Sequence, residues 1–129
     1  MAVRMVRLGS PRAKNEGLRI GTVRRPPRGV PKAQHAAQNW YDVWLPDLAP
    51  SASLLSAIRA EAPDESTWRQ FERRFRREMK APDRARLLHL LAALSRQTNF
   101  SVGCYCADER RCHRSILRRL LEEHGAVFM

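Results

Sequence analysis

The segment Phe100-Ser101-Val102-Gly103-Cys104 constrains the fold more than any other, because it has no face suited to water. A half-exposed strand alternates apolar and polar residues, whereas one that is apolar or small throughout must be covered on both faces. Such strands belong to parallel sheets, where crossover connections lay other elements over the sheet. Downstream, Ile116, Leu117, Leu120 and Leu121 recur at helical spacing, so this strand leads through a turn into a helix.

The rest of the chain supplies its neighbours. Val3-Arg4-Met5-Val6-Arg7-Leu8 alternates apolar and basic residues and stops at Gly9-Ser10-Pro11. A second strand is expected from Leu18 to Val23, and a third over Trp40-Tyr41-Asp42-Val43-Trp44-Leu45, closed by Pro46. Between them, Arg24-Arg25-Pro26-Pro27-Arg28-Gly29-Val30-Pro31-Lys32 excludes regular structure and predicts a rigid basic loop.

From Ser51, which suits an N-cap, a helix is expected to about Glu61, and Pro63 with Asp64 restarts the chain into the next. There Trp68, Phe71, Phe75 and Met79 form one apolar stripe, while Arg69, Arg73, Arg74, Arg76 and Arg77 make a charged outer face partly countered by Glu72 and Glu78. A third helix starts near Pro82-Asp83 and is expected to bury Leu87, Leu88, Leu90, Leu91 and Leu94. The last runs from about Cys112 to His124, with Gly125 at C′ and Ala126-Val127-Phe128-Met129 as a further edge strand. This order predicts an α/β fold, a small single domain over residues 1–129 whose mostly parallel sheet is flanked by helices. Ligands of such sheets collect outside the strands' carboxyl ends, where the 24–32 loop and the 104–114 turn would meet.

That turn holds Cys104, Cys106, Cys112, His113 and Arg114, and with them every cysteine of the chain. The first turn of a helix presents free N–H groups and the positive end of its dipole, which favours a bound anion and lowers the pKa of a nearby thiol. Arginine adds a planar fork for phosphate-like groups.

Several separate motifs in the same order resemble the DUF488 family, small bacterial and archaeal proteins of unknown function. They are Cys106-Ala107-Asp108-Glu109 followed by Cys112-His113-Arg114, Gly17-Leu18-Arg19-Ile20 at the second strand, and Pro27-Arg28-Gly29-Val30-Pro31-Lys32. Asp42-Val43-Trp44-Leu45-Pro46 through Ser51 and the Trp68, Phe71, Phe75, Glu78, Met79 series extend the likeness over nearly the whole chain. A YeaO-like branch shares the Pro-Arg-Gly loop and the Trp/Phe helix but lacks the Cys-His-Arg triplet. The resemblance therefore implies that the cysteines serve something other than the fold. Cys104 lies outside the family pattern and carries less weight than Cys106 and Cys112.

The leading functional expectation is an anion site at the Cys-His-Arg turn with cysteine-based catalysis as an extension of it. Cys106, Cys112 and His113 are the candidate catalytic residues, and Arg24, Arg25, Arg28, Lys32 and Arg114 the candidate anion-binding ones. Cys104 to Arg110 also spells the C-x5-R pattern of phosphatase loops, but Asp108 and Glu109 would repel an anion and the loop lacks glycine. No cofactor is expected. Zinc or iron on Cys104, Cys106, Cys112 and His113 is an alternative, disfavoured because structural zinc sites bring together two separated ligand pairs.

A second alternative is a non-catalytic nucleic-acid-binding module. The formal net charge is +11, 21 of the 24 basic residues are arginine, and residues 1–39 carry nine basic groups against Glu16. Codon bias also produces arginine- and alanine-rich chains, and no helix-turn-helix, zinc-finger or RNP-like pattern is present. The absence of a G-x-G loop disfavours methyl transfer from a nucleotide cofactor. The expected partners are an anionic small molecule or nucleic acid, with no membrane. No apolar run suits a signal or a membrane span, three cysteines leave an unpaired one, and the expected compartment is the cytoplasm, where a Cys106–Cys112 disulfide would be a redox state.

Overall fold

The computed structural model describes residues 1–60, 64–106 and 112–129. Four parallel strands, β1 (Val3–Arg7), β2 (Leu18–Gly21), β3 (Val43–Trp44) and β4 (Phe100–Cys104), form one sheet in the order β1-β4-β2-β3. β4 is flanked on both sides, pairing Val3 with Phe100 and Arg7 with Cys104 along β1, and Leu18 with Phe100 and Gly21 with Gly103 along β2. All five of its residues are buried. Gly103 is required there, because a Cβ would lie 2.5 Å from the Val6 carbonyl oxygen.

Helices α1 (Ala52–Ala60), α2 (Glu65–Glu78), α3 (Pro82–Ser95) and α4 (His113–Glu123) follow the expected order. Ser51 Oγ accepts the Leu54 N–H at the start of α1, and Asp64 accepts the Thr67 N–H at the start of α2. α4 ends as expected at Gly125, with φ +91°, its N–H bonding to Glu122 and that of Ala126 to Leu121. The apolar faces of all four helices join one cluster with Val3, Ile20, Phe100 and Val102. The helices thus cover one face of the sheet. On the other, the alternate residues Arg19 and Ser101 meet Glu16 and Tyr41 lies against Gly21, so loops complete the cover.

The sequence expectations differ from the structure at four elements. β2 ends at Gly21 and the third strand contracts to Val43–Trp44, because Trp40 and Tyr41 pack in a second cluster with Leu8, Val23, Cys104 and Cys112. In α3 only Leu88 and Leu91 of the five leucines are buried; Leu90 and Leu94 are 51% and 38% exposed, since the inward face continues through Ala92 and Ser95. At the C-terminus the edge strand is a single parallel bridge, Val3 to Phe128. Glu61, Pro63, Asp108, Glu109 and Arg110 lie outside the described residues.

Candidate functional site

β4 delivers Cys104 to the carboxyl edge of the sheet, and Cys112 is the N-cap residue of α4. The three cysteines are free thiols; Cys104 and Cys112 are buried and Cys106 is exposed. Their sulfurs all lie within 4.8 Å of one another, with Cys104 Sγ 2.6 Å from Cys112 Sγ. Cys104, given little weight from the sequence, is therefore central to the cluster. Among the described residues these three thiols are the one group close enough to hold a metal ion, and His113 is not part of it.

His113 is buried, with Nε2 2.7 Å from the Thr22 carbonyl. A carbonyl only accepts, so Nε2 carries the proton, and Nδ1 presents its lone pair 3.9 Å from Cys112 Sγ. Burial pushes the His113 pKa down, which keeps the ring neutral. Arg114 is buried too; its Nη2 donates to the Cys106 carbonyl at 2.8 Å, while its Nε has no hydrogen-bond partner among the described residues.

At the helix start the Arg114 backbone N–H lowers the Cys112 pKa, but larger influences outweigh it. The Cys112 contact with Cys104 also favours the thiolate, but donation to Cys106 and burial outweigh it and push the group up to about 11. Donation of its one S–H to Cys106, with the close Cys112 contact and burial, pushes Cys104 up as well. Cys106 moves the other way: hydrogen bonds from Cys104 and Cys112 lower it against the cost of burial, helped by positive charge nearby. With His113 neutral, Arg114 is the lasting source of that charge. The thiolate of the cluster accordingly falls on the exposed sulfur.

Cys106, Cys104 and His113 line a cavity of about 220 Å³ together with Arg24, Arg25 and Tyr105. Arg24 is occupied there, donating to the carbonyls of Pro50 and Ala49 at 3.0 Å each, so it ties the basic loop to the start of α1. Arg25 and Arg28 line a larger cleft of about 860 Å³ with Arg7, Trp40 and Tyr105. Arg25 and Tyr105 are common to both, so the two spaces adjoin. Lys32 lies apart, in a cleft with His35, Tyr41, Asp42 and Trp44, and the structure does not bring it to the thiols.

Sequence reasoning passed over Arg7, Trp40 and Tyr105, which are separated by tens of residues and meet only because strand ends gather at one edge. It also counted Arg19 in the basic field of the N-terminal segment. Arg19 is fully buried, paired with Glu16 at 2.8 Å, and Arg12 is paired with Asp42 at 2.9 Å.

The fold and this turn define a class, a parallel α/β protein whose inner strand ends in a cysteine-rich turn opening a helix. Residues 3–125 match the family model described as the active DUF488-N3 subclade, and the chain belongs to the DUF488 family. No curated protein and no solved structure matches the chain. Among the described residues, no helix is long and apolar enough to cross a membrane.

Proposed function

We propose that the protein uses Cys106 as a nucleophile on an anionic substrate held at the carboxyl edge of its sheet. One observation carries this reading. Of three thiols drawn within 4.8 Å, only Cys106 reaches solvent, and it does so in a cavity that Arg25 shares. Cys104 and Cys112 donate towards its sulfur and leave it the ionised member of the set. Arg114 supplies charge from behind the thiol and fixes the Cys106 carbonyl, while Arg25, exposed, is placed to meet the substrate's anionic group. His113 is a positioning residue, since its Nε2–H is committed to Thr22 and its Nδ1 faces Cys112. The description of the matching subclade as active supports the reading.

Alkylation tests it. At about pH 5.5 only about one free cysteine thiol in a thousand is ionised. A Cys106 thiolate should react with iodoacetamide at a rate that barely changes between about pH 5.5 and 7.5, whereas free cysteine speeds up by nearly a hundredfold over that range, about in step with its ionised fraction. Peptide mapping should place the label on Cys106 ahead of Cys104 and Cys112. A rate that climbs with pH as free cysteine's does would overturn the reading. So would stoichiometric zinc or iron in reduced protein, because the same three sulfurs would then be metal ligands.

A further inference from the structure

The larger cleft beside the thiols has two kinds of wall. Arg7, Arg25 and Arg28 are exposed on it, and none of them makes an ion pair or a side-chain hydrogen bond among the described residues. No carboxylate lines it among the described residues either. By contrast, Arg12, Arg19, Arg76 and Arg119 pair with carboxylates. Three unpaired guanidinium groups around one cleft of a cationic chain make an electrostatic trap for a phosphate-like group.

The other wall is aromatic. Trp40 and Tyr105 meet at a centroid distance of 5.9 Å and an interplanar angle of 75°, forming a corner in which a flat ring can lie against one face with its edge towards the other. This corner is built rather than incidental. Gly9, at φ +91°, brings its backbone so close that a Cβ would sit 2.9 Å from the Trp40 ring, and the Tyr105 hydroxyl donates to the Arg25 carbonyl at 2.8 Å. The second bond ties the aromatic wall to the basic one. A volume of about 860 Å³ also falls within the range of about 300–1,000 Å³ usual for small-molecule clefts.

We infer that this cleft binds a nucleotide, with its base in the Trp40–Tyr105 corner and its phosphate among Arg7, Arg25 and Arg28. Inorganic phosphate would use only the arginines, and a nucleoside only the rings. The inference rests on the preceding reading for one point, that a ligand so held lies next to Cys106, one residue beyond Tyr105.

Adenosine monophosphate, adenosine, inorganic phosphate and an oligothymidylate strand are titrated into the full chain at low salt, with tryptophan fluorescence as the readout. Adenosine monophosphate should bind at least about tenfold more tightly than phosphate or adenosine, since stacking and charge act together. Arg28→Ala should weaken it about tenfold, and Trp40→Phe should remove most of the quenching while keeping a ring in the corner. Tighter binding of the oligonucleotide than of the monophosphate would identify a strand as the source of the nucleotide; the reverse would identify free nucleotide. Phosphate binding as tightly as adenosine monophosphate, or quenching that survives Trp40→Phe, would overturn the inference. If nucleotides fail to bind while the alkylation of Cys106 stays independent of pH, only the inference falls; if they bind and its alkylation follows pH as free cysteine's does, only the proposed chemistry falls.

Discussion

Glu16→Gln should destabilise the protein by about 3–5 kcal/mol near pH 7, the range found when one partner of a buried ion pair is removed. Glu16 and Arg19 are both buried, and the carboxylate accepts from Arg19 Nε at 2.8 Å, Arg19 Nη2 at 3.0 Å, Ser101 Oγ at 2.8 Å and the Ala13 N–H at 3.1 Å. Burial alone would raise its pKa. The four hydrogen bonds and the Arg19 charge outweigh burial and lower the group from 4.5 to about 2. At about 1.4 kcal/mol per pKa unit, that difference is worth about 3 kcal/mol of stability. Because the folded pKa lies below the unfolded one, this contribution is complete above about pH 4.5 and is lost as the pH falls towards 2. Urea unfolding followed by tryptophan fluorescence reads both effects, the loss near neutrality and a gap between wild type and variant that narrows from pH 5 to pH 2.5. A loss below about 1 kcal/mol, or a gap independent of pH, would refute the reasoning. Should Glu16→Gln fail to fold, Ser101→Ala removes one hydrogen bond to the same carboxylate and should cost about 1–3 kcal/mol.

Gly103→Ala should cost about 1–3 kcal/mol in the same assay, because the new methyl meets the Val6 backbone and neighbouring strands cannot yield as a flexible side chain would. Leu90→Gln and Leu94→Gln should change stability by no more than about 0.5 kcal/mol, whereas Leu88→Ala, inside the core, should cost about 2–5 kcal/mol. His113→Asn should leave Cys106 the fastest-alkylated thiol in peptide mapping, because the groups that lower it most are Cys104 and Cys112; a labelling rate that climbs with pH as free cysteine's does would mean that the ring contributes directly.

The α/β class and the order of elements were legible because they rest on periodicity, which needs only local sequence. The uninterrupted burial of β4 followed from its composition, and the Trp68–Met79 stripe from its spacing. Helix faces were less legible: Leu87 to Leu94 offers apolar residues on more than half of the circumference, and only packing against α4 and the common core selects Leu88 and Leu91. The site was half visible. Cys106, Cys112, His113 and Arg114 are neighbours in sequence and attracted notice together, but the protonation pattern among the thiols depends on Cys104 arriving from β4, a tertiary event. Arg19 was misjudged for the same reason. Its position reads as one more cation; Glu16 stands three residues away, but only the fold buries the pair and supplies the Ser10 and Asn39 carbonyls that enclose it.

The place of β4 between β1 and β2 bears on how the chain is made. β1 and β2 are close in sequence yet cannot pair with each other, and each waits for a partner about eighty to a hundred residues downstream. Closing such distant pairings is slow, and until then both strands present open edges able to recruit other chains. The segment that seals those edges ends in Cys104 and leads directly to Cys106. Assembly of the thiol cluster therefore requires the sheet to be completed, so a nascent chain gathers its three sulfurs only once those open edges are gone.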